Sequence, residues 1–406
     1  SQDSVGGVRT CRTEGHDHSV NKATRTINMT ELKEYTAEAV RLLSRLIATP
    51  SVSRDEKAAA DVMEAFMKEH GIDSRREANN VWAVGRDYDA ARPTLLLNAH
   101  IDTVKPVGTW TRDPFGPVVE DDRLYGLGSN DCGGGLVALL QAFRILEDPC
   151  NPLKEDIVNT QPHRLDNISP SNPSSLLPYN LVFLSSAEEE VSGRDGISRV
   201  LPLLPHIDVA IVGEPTGMQP AIAEKGLMVI DATSHGRSGH AARNEGVNAI
   251  YEALDDLLWL RDYRFSRVSK LLGPVKMSVT VIGAGTQHNV IPDECRFVID
   301  VRSNELYTNE ELFGIISSHV KSELHARSFR LGSSRIDASH PLVRRMTAMG
   351  MKPFGSPTLS DQALMPFPSF KLGPGDSARS HSADEYICVS EIENAIRTYV
   401  EILSSY

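Results

Sequence analysis

The sequence predicts an α/β protein: a mixed, mostly parallel sheet covered by helices on both faces, with a ferredoxin-like α+β domain inserted into it. Three observations carry this. Short, wholly apolar runs such as Leu95-Leu96-Leu97 and Val209–Val212 alternate with segments of helical period, the pattern of strands buried on both faces. From about residue 223 to 333 the strands instead alternate apolar and polar, as in an antiparallel sheet with one covered face. A chain of 406 residues is also too long for one simple core, so two domains are expected.

The elements follow in order. Ser1 to Thr26 is polar and lacks an apolar signal core, so residues 1–28 read as a flexible tail without an export signal. Thr30 is placed to cap a first helix whose apolar residues, Leu32 to Ile47, recur at helical spacing up to Thr49-Pro50. A second helix is expected from Asp55 to His70, stopped by Gly71, then strands at Val81–Val84 and Thr94–His100. The turn Gly133-Gly134-Gly135 opens an apolar helix to about Leu146, and strands follow at Leu181–Ser185 and Val209–Val212. Residues 150–178 are rich in Pro, Asn and Ser and show no period, so they read as a mobile surface insertion. In the second domain, 223–333, strands are expected at Met228–Ser234, Val275–Ile282 and Cys295–Val301. Helices are expected at Val247–Leu260 and Asn309–Leu324, the latter capped by Thr308. Residues 29–222 and 334–406 form the first domain, which the chain rejoins with helix, loop and helix.

The net charge of −12 argues against a nucleic-acid partner, because a phosphate backbone needs a basic face. No apolar stretch is long enough to span a membrane. Cys11, Cys132, Cys150, Cys295 and Cys388 are odd in number and scattered, which fits a reducing, cytoplasmic setting with no disulfide framework.

The chemistry-bearing residues stand where strands and glycine turns end. His100 and Asp102 close an apolar strand, two residues apart and so on one side of it. One ring nitrogen of His100 is then free for a metal, while Asp102 takes the N–H of the other and sets the tautomer. Asp131 lies in the small-residue turn Gly126-Leu127-Gly128-Ser129-Asn130-Asp131 before a helix; an ordinary N-cap is the plainer explanation of that residue alone. Glu188-Glu189-Glu190 follows a strand, where neighbouring carboxylates repel unless a cation or proton lies between them. Glu214 ends another strand and is stiffened by Pro215. His381 lies in a loop before the last helix. Together His100, Asp131, Glu189 or Glu190, Glu214 and His381 make two histidines and three carboxylates, a donor set for two divalent ions. In open α/β sheets such groups gather at the carboxyl ends of strands.

These motifs, with Gly213-Glu214-Pro215, Ser238-Gly239-His240 and Asn289-Val290-Ile291-Pro292, come in the order of a known family. From about residue 30 to 406, outside the 150–178 insertion, the chain resembles the zinc-dependent aminoacylase and carboxypeptidase family. That family includes acetylornithine deacetylase, succinyl-diaminopimelate desuccinylase and glutamate carboxypeptidase types. The resemblance implies Asp131 bridging two ions, zinc with cobalt or manganese as alternatives. His100 and Glu214 complete one site, Glu190 and His381 the other. It further implies Glu189 as general base, Asp102 as orienter of His100, and His240 offered to the partner subunit's site. Asn289, Arg302 and Gly373 are implied near the substrate, and 223–333 becomes a lid through which a homodimer forms. Cys132 occupies a variable slot and reads as a small filler. Glu188 lengthens the acidic run, so the base assignment could shift by one residue.

The runs Gly213–Gly217 and Ser380–Tyr386 look most like the acetylornithine deacetylase branch, which implies N-acetylornithine as substrate and a role in arginine biosynthesis. N-acetyl- or N-succinyl-citrulline or -ornithine deacylation, a same-family dipeptidase or carboxypeptidase, and a non-catalytic metal-binding scaffold are the alternatives.

Overall fold

The computed structural model of the chain describes residues 29–153 and 177–404. The expected tail and most of the expected 150–178 insertion lie outside the described residues. The first domain begins with α1 (Met29–Ile47) and α2 (Lys57–Glu69), followed by β1 (Ser74–Glu77), β2 (Asn80–Val84) and β3 (Thr94–His100). Next come β4 (Val118–Glu120), β5 (Arg123–Tyr125), α3 (Gly134–Glu147), β6 (Asn180–Ser186), α4 (Ile197–Val200), β7 (Val209–Val212) and β8 (Ala221–Glu224). The chain then builds β9 (Met228–His235), β10 (Gly239–His240), α5 (Ala249–Asp262), β11 (Lys276–Ala284), β12 (Val290–Ile291), β13 (Glu294–Arg302), α6 (Asn309–His319) and β14 (Glu323–Ala326). It returns through β15 (Ser334–Arg335), α7 (Pro341–Ala348), β16 (Phe354–Ser356), β17 (Ser369–Lys371), β18 (Tyr386–Cys388) and α8 (Val389–Ser404).

The large sheet has the order β1-β2-β6-β3-β7-β17-β8-β15, with β16 also on β8. Its four central strands, β6, β3, β7 and β17, run parallel, and antiparallel pairs flank them. The central strands are buried throughout because both faces are covered. Leu95, Leu97 and Ala99 of β3 pack with α1, α2, α3 and α8, while Leu96 points to the opposite face with Ile197 and Val200 of α4. The smaller sheet, β11-β13-β9-β14, is wholly antiparallel. With α5 and α6 it forms a second, separate apolar core, and the strand order and two helices are those of a ferredoxin-like unit. Alternating burial along β9 and β13 reflects the one covered face.

Several local expectations change. Thr30 lies inside α1 rather than capping it. Asn309–Leu324 is not one helix: α6 stops at His319, and Leu324 belongs to β14. The buried Asp256 carboxylate explains the stop, because it takes the backbone N–H groups of Lys321 (3.0 Å) and Ser322 (2.8 Å). Thr308 does cap α6, reciprocally with Glu311. Cys132, Cys295 and Cys388 are free thiols. No helix among the described residues is long and apolar enough to cross a membrane.

Candidate functional site

The parallel register of β3, β6 and β7 brings their carboxyl ends together. His100 stands opposite Ser186 and Asn98 opposite Val212, so His100, the loop carrying Glu188–Glu190, and Glu214 emerge side by side. Asp131 enters from the turn before α3 and His381 from the loop after β17. Gly135 and Gly373 make this approach possible. A Cβ at Gly135 would stand 1.7 Å from the Gly213 carbonyl oxygen, and one at Gly373 2.3 Å from that of Glu214.

The buried His100 Nε2 lies 3.2 Å from Asp131 Oδ1, 3.5 Å from Glu214 Oε1 and 3.6 Å from Glu189 Oε2. His381 Nε2 lies 3.0 Å from Glu190 Oε2 and 3.5 Å from Asp131 Oδ2. Asp131 thus stands between the two histidines. Asp131, Glu189, Glu190, Glu214 and His381 line one cleft of about 560 Å³. Glu188 does not line it; its carboxylate takes the Asp195 N–H (3.3 Å) on the far side of the loop.

The electrostatics are those of crowded carboxylates out of water. Burial, with the Asp131 charge added to it, pushes Glu214 up to about 8. Burial also drives Glu189 well above its ordinary range against the opposing effect of His100, with Glu214, Asp361 and Glu190 adding to the rise. Burial disfavours the His100 imidazolium, but Glu189 and the other acidic groups outweigh it and hold the ring well above its usual value. The Glu190 hydrogen bond raises His381 to about 9.

Divalent cations fit this donor set. Asp131, Glu190 and His381 offer ligand atoms within 4.8 Å of one another, as do His100, Glu189 and Glu190, and His100, Cys132 and Glu214. Glu214 Oε1 is buried and accepts no hydrogen bond, an orphan that a cation would satisfy. In the last group Cys132 is the weaker candidate. Burial pushes its thiol well up, and Sγ donates to the Gly213 carbonyl at 3.3 Å, so it behaves as the expected filler.

Other expected site residues lie apart. His240, Asn289, Arg302 and Gly373 do not line the cleft. His240 and Asn289 are exposed neighbours where β10 meets β12, with Ala241 N donating to Asn289 O at 3.0 Å. Arg302 is engaged by Asp300 through Nε (2.8 Å) and Nη2 (3.0 Å). Gly373 is packed against Gly213 and Glu214 and serves their backbone path.

The expected His100–Asp102 contact is made mainly through the Asp102 backbone rather than its carboxylate, and further supporting contacts join it. His100 Nδ1 donates to the Asp102 backbone carbonyl at 2.9 Å and lies 3.4 Å from its carboxylate. That carboxylate instead takes Glu189 N (3.0 Å), Glu190 N (3.1 Å) and Ser53 Oγ (2.6 Å). It therefore fixes the two glutamates as well as the histidine. Buried Glu385 does the same for Asp131, accepting the N–H groups of Gly128, Asn130 and Asp131 at 2.8–3.0 Å. At the cleft wall, buried Lys371 pairs with Glu224 (3.1 Å) and donates to the Thr358 carbonyl (2.8 Å). In the sequence Glu385 stands beside Asp384 in the run Ser380–Tyr386, with nothing local to tell the two carboxylates apart.

The chain and its fold have known counterparts. The model of the peptidase family M20/M25/M40 matches residues 96–158, and that of the peptidase dimerisation domain matches residues 222–328. The chain is 28% identical over 388 residues to acetylornithine deacetylase of Pectobacterium carotovorum subsp. carotovorum (strain PC1), covering 86% of this chain and 92% of that protein. It is 27% identical over 407 residues to acetylornithine deacetylase of Shigella sonnei (strain Ss046), covering 90% and 97%. Among solved structures, aminopeptidase PepT from Bacillus cereus superposes with a TM-score of 0.68 at 17% identity, covering 91% of this chain and 98% of that one. The Bacillus subtilis YXEP protein, described as a dinuclear metal binding peptidase from the M20 family, gives 0.61 at 16% identity, covering 92% and 98%. Over these segments the chain resembles the peptidase family M20/M25/M40 and its dimerisation domain, and its relatives make it an amidohydrolase.

Proposed function

We propose that the chain hydrolyses the amide bond of N-acyl amino acids, with N-acetylornithine as the first substrate to test and the dimer as the working unit. The observation that carries the reading is the cluster of two histidines and four carboxylates at the parallel strand ends, in a chain whose curated relatives are named acetylornithine deacetylase. His100, Asp131 and Glu214 would hold one divalent ion and Asp131, Glu190 and His381 the other, with zinc the expected metal. When bound, the ions supply Lewis acidity toward the amide carbonyl and acidify the attacking water.

Glu189 is the general base. Its carboxylate lines the cleft, is held at the backbone by Asp102, and sits in surroundings that strengthen its hold on a proton. It takes the proton from water attacking the carbonyl carbon and delivers it to the departing amine nitrogen. Asp102 orients His100 and the Glu189-Glu190 backbone. His240 and Asn289, exposed together and apart from this chain's own cleft, are assigned to the partner subunit's site, with His240 as an oxyanion donor. Arg302 would meet the substrate carboxylate only after leaving Asp300.

A substrate panel tests the reading. N-acetyl and N-succinyl forms of ornithine and citrulline, with simple dipeptides beside them, are assayed with added zinc or cobalt. Preferential release of acetate from N-acetylornithine is expected. Equal turnover of all four acyl substrates would sink the dedicated role, and faster cleavage of dipeptides would make the chain a peptidase.

A further inference from the structure

A second cavity, of about 550 Å³, lies on the other side of the loop that carries Glu189 and Glu190. Three of its eight lining residues are arginines: Arg54, Arg194 and Arg330. They come from separate parts of the fold: the α1–α2 connection, the loop between β6 and α4, and the segment leading out of β14. None of the three forms an ion pair among the described residues; the one side-chain bond they make is Arg330 Nη1 to Ser198 Oγ at 3.5 Å. Carboxylates outnumber basic side chains in this chain, 54 to 42, so spare acidic partners are plentiful. Neighbouring Arg199 takes two of them, Glu77 and Asp195.

The groove is also built. The fully buried Glu56 carboxylate takes the backbone N–H of Arg54 (2.7 Å) and of Glu188 (3.0 Å), tying two walls together. Gly193 N donates to Glu188 O at 2.9 Å and closes the turn that presents Arg194. Glu188 and Asp195 line the groove too, but the Glu188 carboxylate takes the Asp195 N–H (3.3 Å) and the Asp195 carboxylate pairs with Arg199 (2.7 Å), which leaves the three guanidinium groups for charge-assisted hydrogen bonds to an anion.

We propose that this groove binds a small anion bearing two or more carboxylate or phosphate groups, outside the metal cluster. Such a ligand bridges Arg330, on the return from the second domain, to Arg54 and Arg194, beside the loop of Glu189. The proposal stands independently of the deacylase reading.

Equilibrium dialysis of the full, metal-replete chain tests it with two probes, pyrophosphate and tricarballylate. The variants are R54Q, R194Q, R330Q and, as control, R296Q, whose arginine pairs with Glu294 in the second domain, each checked for unchanged thermal unfolding. The expected result is one saturable site per chain, weakened about tenfold or more by each of the three changes and untouched by R296Q. Which probe binds tells phosphate from polycarboxylate. Anion held at the metal cluster persists in all four variants. Absence of binding in the unsubstituted chain at millimolar probe, or equal binding in the three arginine variants, overturns the proposal.

Discussion

Replacing Glu385 with Gln tests how the Asp131 turn is held. The buried carboxylate takes Gly128 N on Oε2 (2.9 Å), and Asn130 N (3.0 Å) and Asp131 N (2.8 Å) on Oε1. Gln keeps the shape and has one oxygen. With that oxygen in the Oε1 position two bonds survive, and the amide NH₂ faces the Gly128 N–H. One buried donor then lacks an acceptor, at about 1–3 kcal/mol, and two opposed donors add to the loss. The flipped amide orphans two donors and is worse, so about 1–3 kcal/mol is the lower limit. Urea unfolding of the metal-replete chain measures it: the midpoint falls while the slope stays. E385Q also holds less divalent ion, because Asp131 ends the loosened turn. An unchanged midpoint together with unchanged ion content would refute the reasoning.

Other outcomes follow from the same geometry. E189Q should lose about 10²–10⁴-fold in turnover while keeping its ions, and retained activity would remove Glu189 as base. G135A forces a methyl group to within 1.7 Å of the Gly213 carbonyl, so it should destabilise by about 1–3 kcal/mol or more and shift Glu214; a native-like melting profile contradicts this. Divalent ion at a hundredfold excess over its dissociation constant should stabilise the chelated protein by about 2.7 kcal/mol, and an unmoved melting curve speaks against the centre. Burial favours a neutral Glu391, but the Arg379 guanidinium outweighs it and holds the carboxyl below its usual 4.5. That stability is present above pH 4.5 and lost as pH falls through the folded-state value. E391Q should therefore flatten the acid limb of the stability curve by less than about 1 kcal/mol, and an unaltered limb rejects the pair's role.

The sequence by itself determined the α/β class, the central strands and the cluster candidates. Leu95–Leu97 and Val209–Val212 are apolar without interruption because both faces of those strands are covered, and a polar residue ending such a run stands where ligands collect. It did not reveal β1, whose Ser74-Arg75-Arg76-Glu77 has no apolar pattern because an edge strand is held by backbone pairing to β2. Nor did it end α6 at His319, since that stop depends on Asp256, more than sixty residues away. Only the tertiary structure decided which way the three glutamates face. Consecutive side chains diverge, so Glu189 and Glu190 enter the cleft while Glu188 turns toward the arginine groove. It also decided that Asp102 and Glu385 spend their carboxylates on backbone N–H groups of the ligand-bearing loops. A residue's donors and acceptors are written in its sequence, but their partners are assigned only when distant segments are brought within hydrogen-bond reach.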